Sequence, residues 1–486
     1  MILKTLLKDI TTEAIIGSIE LEITSLCFDS RKASQGSLFV AVRGTAVDGH
    51  TFIEKAIALG AVVIVCEELP NTLHKEVTYV QVTNSGKALA LLASAYYGKP
   101  SQQLKLVGVT GTNGKTTIAT LLYELFREAG YKAGLLSTVA VYIDDERHEA
   151  THTTPDPLEL NAHLAAMVQK GVTHCFMEVS SHGIDQHRCE GLHFMGGIFT
   201  NLTHDHLDYH KTFTAYRDVK KRFFDNLPRE AFALVNVDDK NGSFMLQNTR
   251  ATKKTYALKT LADFKARIIE SRFDGLLLKI NKQEVWTQLI GRFNAYNLLA
   301  VYATATLLGL DSLDVLRLIS KIKPVTGRFQ VAVSSSGVVT IVDYAHTPDA
   351  LQNVLETIND IRSHKETLTT VIGCGGNRDK SKRPEMADIA TTLSDAVIFT
   401  SDNPRDEDPK TILREMEAGV QPQNFHRVQT ITDRRQAIQS AVKNAEKGDI
   451  ILVAGKGHET YQEVKGVRSP FDDLKVIQEF LLLYGK

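Results

Sequence analysis

The sequence predicts an α/β protein of three domains with parallel sheets, and three observations lead there. The chain has 486 residues, which at about 150 residues per domain implies roughly three domains. The last third alternates short apolar strands with helical stretches, the pattern of a parallel sheet covered by helices on both faces. A glycine-rich loop, Gly111-Thr112-Asn113-Gly114-Lys115-Thr116-Thr117, lies between a strand and a helix in mid-chain.

Taken in order, Leu3, Leu6, Leu7 and Ile10 have the spacing of a short amphipathic helix. The first block of short strands and helices ends at the turn Gly98-Lys99-Pro100, which sets a boundary near residue 100. Leu104 to Val109 reads as a buried strand, and Ile118, Leu121, Leu122 and Leu125 as a helix that Gly130 closes. Asp156, Pro157 and Glu159 read as a helix start with a cap, a first-turn proline and a capping-box acid. Val172 to Val179 and Gly197 to Thr200 are further buried strands. A last block begins near Gln330, with strands at Val338 to Asp343, Leu368 to Gly373, Ala396 to Thr400 and Ile450 to Ala454. Ligands bind at the carboxyl ends of such strands, so the loops after Asp343, Gly373, Thr400 and Ala454 are the places to look.

Lys plus Arg (56) nearly cancels Asp plus Glu (57), leaving no electrostatic footprint for nucleic acid or an anionic membrane. An anionic substrate must therefore be held by local groups. Cys27, Cys66, Cys175, Cys189 and Cys374 are scattered and odd in number, which reads as buried free thiols in a reducing cytoplasm. The N-terminus is too interrupted by charge for a signal peptide, and the apolar runs are too short to span a membrane. A monomer is expected.

In the glycine-rich loop, backbone N–H groups and a helix N-terminus can face phosphate oxygens. Lys115 can reach the β and γ phosphates, and the Thr116 hydroxyl can bind Mg2+. The usual pattern wants a glycine where Val109 stands, and Gly108 lies one residue early. The bland alternative is a turn that binds nothing; on its own the loop indicates a nucleotide and no particular reaction. Glu178 ends an apolar strand and suits Mg2+, or is a solvated strand-end acid. The segment 201–210 packs three histidines and two aspartates into ten residues without the spacing of a zinc site. After it, Phe213, Tyr216 and Lys220 share one helix face, placing Lys220 on the apolar side. Such a lysine either snorkels to water or has a depressed pKa and can take up carbon dioxide as a metal-binding carbamate.

The motifs DSR (29–31), GTNGKTT (111–117), TTPD (153–156), EVSSHGIDQHR (178–188), NLTHDHLDYH (201–210) with Lys220, GRFNAYN (291–297), GRF (327–329), DYAHTPDAL (343–351), GCGGNRDKSKRP (373–384), DNPR (402–405) and GKGHE (455–459) run through nearly the whole chain. In this order they resemble the Mur ligases, in the UDP-N-acetylmuramoyl-tripeptide synthetase branch. The resemblance implies a UDP-substrate domain (1–100), a central phosphate-loop ATPase-like domain (101–329) and a C-terminal Rossmann-like domain that brings the amino acid (330–486). It implies that Ser30, Thr45, Ala46 and Val47 face the nucleotide sugar, and that Thr153, Thr154, Ser180, Gln186 and Arg188 hold the rest of that substrate. His152 departs from the family pattern, where an Asn often precedes the Thr pair. Lys220 matches a carbamylated lysine, Glu178 and His206 match metal ligands, and Asn294, Arg328 and Asp343 match ATP-site positions.

The implied reaction uses ATP and two Mg2+ to add meso-diaminopimelate to UDP-N-acetylmuramoyl-L-alanyl-D-glutamate through an acyl phosphate. Lys115, Glu178, His206 and Lys220 are the expected catalytic set, with Thr116, Glu178, His206 and carbamylated Lys220 at the metals. Arg405 of Asp402-Asn403-Pro404-Arg405 can grip the far carboxylate of diaminopimelate, while Arg378, Gly455 and Glu459 match neighbouring contacts. Without the resemblance, DNPR reads as a turn before a helix at Asp408-Pro409, with Arg405 in water. Rival readings are a lysine-adding homologue, a phosphate-loop kinase, a folylpolyglutamate synthetase and a nucleotide-switch module.

Overall fold

A computed structural model describes residues 1–44 and 47–486; the expected substrate contacts Thr45 and Ala46 lie outside the described residues. Three main sheets follow one another along the chain. The first contains β1 (Ala14–Ile16), β2 (Ser25–Cys27), β3 (Ser37–Val40), β4 (Ala61–Cys66) and β5 (Thr78–Gln81), in the order β1-β5-β4-β3-β2. The run AVVIVC of β4 is apolar at every position because the sheet is packed on both faces, by Leu3, Leu6 and Leu92 on one side and Ile53 and Ala56 on the other. The N-terminal helix is a single turn, Leu3–Leu6, continued by a 3-10 turn.

The second sheet contains β6 (Lys105–Thr110), β7 (Ala133–Leu136), β8 (Val141–Ile143), β9 (Glu146–His148), β10 (His174–Glu178), β11 (Gly196–Phe199), β12 (Phe232–Asn236), β13 (Thr252–Ala257), β14 (Phe264–Arg272), β15 (Gly275–Ile280) and β16 (Gln283–Thr287). Its order is β16-β15-β14-β13-β12-β11-β6-β10-β7-β8-β9. The run from β14 to β7 is parallel; β8, β9, β15 and β16 are antiparallel additions at the two edges. The expected parallel sheet is thus present, extended at both edges by antiparallel strands. Short hairpin turns such as Asp144-Asp145 leave no room for a crossover helix, so those strands must pair antiparallel. One face is covered by the helices Lys115–Glu128 and Arg292–Leu307, through Ile118, Leu122, Phe126, Leu298 and Val301. The other is covered by Pro157–Gln169 and Phe213–Asp225, through Leu160, Leu164, Tyr216 and Phe224.

Asp156 caps the helix Pro157–Gln169 as expected, accepting from the N–H groups of Leu158 and Glu159. The capping box does not close. Glu159 Oε2 accepts instead from the Thr151 hydroxyl at 2.8 Å, a nearer partner supplied by the preceding loop.

The third sheet contains β17 (Gln330–Val333), β18 (Val339–Asp343), β19 (Leu368–Ile372), β20 (Ala396–Phe399), β21 (Val428–Thr430) and β22 (Ile450–Ala454), in the order β17-β18-β22-β19-β20-β21. All neighbours are parallel except β17 and β18. Helices cover both faces, with cores around Leu355, Ala387 and Met416 and around Ile438, Val442 and Ile477. A buried ion pair fixes one strand end: Arg434 donates to both oxygens of Asp473 at 2.8 and 2.7 Å and to the carbonyl of Ala454 at 3.0 Å. A hairpin, β23 (Tyr461–Val464) and β24 (Val467–Pro470), follows the loop after β22.

Candidate active site

The carboxyl ends of β6, β10, β18, β19, β20 and β22 open on one cleft of about 450 Å³. The glycine-rich loop forms its floor. Gly114 takes a φ of +89°, and a Cβ there would lie 2.7 Å from Asn297 Oδ1, so both conformation and space require glycine. Lys115 Nζ is folded back onto the carbonyls of Gly111 at 3.0 Å and Thr112 at 2.7 Å. Thr116 Oγ1 accepts from Arg328 Nη2 at 3.1 Å, and the Arg328 guanidinium stacks over the Tyr344 ring at 4.4 Å.

Lys220 does not snorkel. It is fully buried on its helix, with Nζ donating to the Gly111 carbonyl at 2.8 Å and lying 4.7 Å from the Tyr216 ring centroid. Burial, reinforced by the Lys115 charge, holds its ammonium well below the ordinary lysine range. The shift is toward the neutral amine, the form able to react with carbon dioxide. Glu178, at the end of β10, is buried; Oε1 accepts from Thr138 N at 2.8 Å, and among the described residues Oε2 has no protein partner. His206 has a φ of +55° and stacks edge-on against His182 at 4.9 Å. Burial holds both imidazoles below their ordinary values, so each keeps a lone pair to offer. A carboxylate oxygen facing the cleft, a hydroxyl and a neutral imidazole form a donor set that fits Mg2+.

The wall opposite comes from the third sheet. Arg405 takes a φ of +51° and donates from Nη1 to the Gly376 carbonyl at 2.8 Å. Its backbone is pinned to the hairpin, Arg405 N donating to Glu463 O and Lys465 N to Arg405 O. Arg405 is therefore not in water, although Asp408 does cap the helix Pro409–Glu417. Asp402, Asn403, Arg378, Gly455 and Glu459 line the same wall. His206, Phe329, Asn377 and Arg405 are non-glycine residues in the left-handed region, and all four sit on loops around this cleft. Such strain persists where surrounding contacts over-determine it, which is common at functional sites.

The expected substrate residues Thr153, Thr154, Ser180 and Arg188 also line the cleft, as does His152. Thr154 Oγ1 donates to the Glu178 carbonyl at 2.9 Å, and Arg188 Nη1 to the Thr154 carbonyl at 2.6 Å. Gln186 stands behind Arg188, accepting from its guanidinium at 2.7 Å. Other expected residues are not brought to the cleft wall. Asn294 is buried behind the loop, accepting from Asn297 Nδ2 at 3.0 Å. Asp343 accepts from Phe329 N at 2.6 Å, and burial pushes its carboxyl up to about 6. Pro404 faces away, its carbonyl against Gly376. Ser30 and Val47 belong to the first sheet's region, distant from the phosphate loop in the chain and absent from the cleft lining.

Several contributors went unnoticed in the sequence. Arg383 is fully buried and donates to Glu407 Oε1 and Oε2 at 2.9 and 3.0 Å, to Glu415, and to the Gly375 carbonyl at 3.2 Å. It ties the GCGGNRDKSKRP loop to the segment after DNPR. His346 and Tyr344 line the cleft and were legible only as members of DYAHTPDAL. Two further contacts join the loop floor to the third-sheet side: Asn113 Nδ2 donates to Asp349 Oδ2 at 2.8 Å, and His204 Nε2 lies 3.2 Å from Asp379 Oδ2.

Fold and cleft together define an α/β protein of the kind that binds nucleotides, with a glycine-rich loop after β6 facing a wall from the third sheet across one cleft. Family models agree: Mur ligase middle domain matches residues 109–305, Mur ligase, glutamate ligase domain matches 327–457, and Mur ligase family, catalytic domain matches 22–97. The chain is 55% identical over 487 residues to a UDP-N-acetylmuramoyl-L-alanyl-D-glutamate–2,6-diaminopimelate ligase of Cytophaga hutchinsonii, covering 100% of both chains. It is 56% identical to the Parabacteroides distasonis enzyme of the same name, over 99% of each. A solved structure of a ligase with that name superposes with a TM-score of 0.69 at 31% identity, over 100% of this chain and 99% of that one. The chain belongs to the Mur ligase family, and it is an ATP-dependent ligase.

Proposed function

We propose that this ligase adds meso-diaminopimelate to the D-glutamate side-chain carboxylate of UDP-N-acetylmuramoyl-L-alanyl-D-glutamate, a step of peptidoglycan synthesis. The observation that carries the reading is that a single cleft gathers the phosphate loop, buried Lys220 and the DNPR wall. Relatives above 50% identity over their whole length carry the same activity in their names. The boundaries at 100 and 329 fit this reading, since the first sheet ends at Gln81 and the third begins at Gln330. A cytoplasmic monomer is part of it, in keeping with five free cysteines. Among the described residues no helix is long and apolar enough to cross a membrane.

A carboxylate repels amines, so it must first be activated. Its oxygen attacks the γ-phosphorus of ATP, the bond to ADP breaks, and an acyl phosphate forms. Lys115, freed from its loop carbonyls, neutralises the phosphates as charge builds. Thr116, Glu178, His206 and carbamylated Lys220 would hold two Mg2+, which supply charge neutralisation that lets two anions meet. The Lys220 amine reaches its anionic form by bonding to the carbon of carbon dioxide and losing a proton. The amine of the amino acid then attacks the acyl carbon, phosphate leaves, and the amine loses its proton. Thr154, Ser180 and Arg188 orient the acceptor, while the opposing walls exclude water from the acyl phosphate.

On the amine side, Arg405 and Arg378 suit a carboxylate, and Glu459 suits an ammonium. Lysine lacks the far carboxylate and would leave Arg405 desolvated without a partner. Phosphate release, measured with ATP, the UDP-dipeptide and each candidate amine in turn, tests the assignment. Diaminopimelate should exceed lysine in kcat/KM by roughly a thousandfold. Equal use of lysine would reject the substrate, and ADP formation at full rate without any amine would indicate a kinase.

A further inference from the structure

Lys456 has no exposed surface, yet it belongs to the loop 455–459 whose Gly455 and Glu459 line the cleft. A buried ammonium is costly unless it is paired, so its partners indicate its role. Nζ donates to Asn403 Oδ1 at 3.0 Å and Glu459 Oε2 at 3.1 Å, and lies 3.7 Å from Asp402 Oδ1. All three belong to the wall assigned to the amine substrate. Asn403 Oδ1 also accepts from Glu463 N at 2.9 Å, so its amide is fixed with Nδ2 toward Glu459 Oε2 at 2.7 Å. Glu459 Oε2 thus takes two donors, while Oε1 has only a 3.5 Å contact from the Tyr344 hydroxyl. Oε1 is the oxygen left for a ligand.

We infer that Lys456 is a positioning residue for the amine substrate: it orients Asn403 and Glu459 and leaves the Asp402–Glu459 carboxylate pair with one net negative charge for one substrate ammonium. The inference rests on the reading of this wall as the amino-acid site. Among the described residues the other cations meet this pair differently: Arg434 acts on Asp402 and Glu459 only through its charge, its hydrogen bonds going to Asp473 and the Ala454 carbonyl, and Arg405 turns its Nη1 to the Gly376 carbonyl. Tyr461 presents its ring to Lys456 at 5.6 Å, and burial holds His458 near 3 and so neutral. The pH consequence has a definite sign. Burial, then the Asp402 charge, raises the Glu459 carboxyl, and the Lys456 ammonium opposes that rise. Without the ammonium, Glu459 needs a higher pH to ionise.

Steady-state kinetics of full-length Lys456→Met, with ATP, UDP-dipeptide and amine varied separately, test this. KM for the amine should rise roughly tenfold to a hundredfold, as for loss of a charge-assisted contact. KM for ATP and for the UDP-substrate should stay within about twofold, and the acid limb of kcat/KM for the amine should move up by about one pH unit. Lys456→Arg, which keeps the charge, should hold the limb near its wild-type position. Lys456→Gln keeps a donor but no charge, should move the limb, and replaces Met where that variant does not fold. An unmoved limb in the uncharged variants overturns the inference, as does a parallel rise in all three KM values with a lowered Tm. A wild-type preference for lysine would reject the diaminopimelate reading instead; the same variants, assayed with lysine, would still report on Lys456.

Discussion

At the scale of single residues, the proposed chemistry turns on a lysine placed where a lysine is costly. Lys220 shares its buried helix face with Tyr216 and Phe224, and among the described residues its amine has one hydrogen-bond partner, the Gly111 carbonyl. An unpaired ammonium so near Lys115 is disfavoured, whereas a carbamate would be attracted by it. We predict that Lys220→Ala lowers kcat by roughly a hundredfold to a thousandfold, the loss usual for one transition-state charge contact, while UDP-substrate binding persists. Short-chain carboxylates should restore part of the rate, and carbon-13 NMR of wild type under labelled carbon dioxide should show a carbamate. Full activity in the alanine variant would sink the assignment. The helix spacing of Phe213, Tyr216 and Lys220 put Lys220 on the apolar face but left open whether its amine snorkels to water. The partner did not announce itself, because Gly111 is more than a hundred residues away and contributes only a backbone carbonyl.

At the scale of elements, apolar runs and glycine turns carried the reading. The strands 105–110, 339–343, 368–372, 396–399 and 450–454 fall within a residue or so of their expected places, since both faces are buried and most positions are apolar. The strand 264–272, where the parallel run meets its antiparallel extension, and the edge strand 283–287 carry charged residues, and their pairing was not legible. Arg383 was missed for a related reason: a basic residue in a charged loop looks solvated until Glu407 and Glu415 fold against it. The loop it braces yields a second prediction. A Cβ on Gly376 would lie 1.9 Å from the Pro404 carbonyl, while Gly376 N donates to Asn403 O at 2.9 Å. Gly376→Ala must displace the DNPR loop, so KM for the amine should rise at least about tenfold with KM for ATP unchanged, and Tm should fall by a few degrees. Titrating each substrate separately decides this; an unaltered amine KM would show that the loop's placement does not matter.

At the scale of the molecule, the order of motifs disclosed the family and the three-domain plan, but not how the second and third domains meet. That junction depends on pairs such as His204 with Asp379 and Asn113 with Asp349, formed across separations of more than 170 residues and carried mostly by loops, with Asp349 in the first turn of the helix Pro348–Ile361. Asp379 also accepts from the Ser381 N–H and hydroxyl at 2.9 and 2.6 Å, so it is fixed before it meets His204. A preset partner loses little entropy on docking, and the contact should bias the two domains toward the arrangement in which phosphate loop and amine wall share a cleft. Asp379→Ala and His204→Ala should each lower kcat by roughly threefold to tenfold, since about 1 kcal/mol of that bias is lost. The Tm of each variant should stay near wild type, because the pair lies between cores and not within one. A double-mutant cycle isolates the pair: if it acts as a junction, the double variant is no slower than the slower single variant. Effects that simply multiply would show that His204 and Asp379 act separately, and the docking would then rest on Asn113 and Asp349.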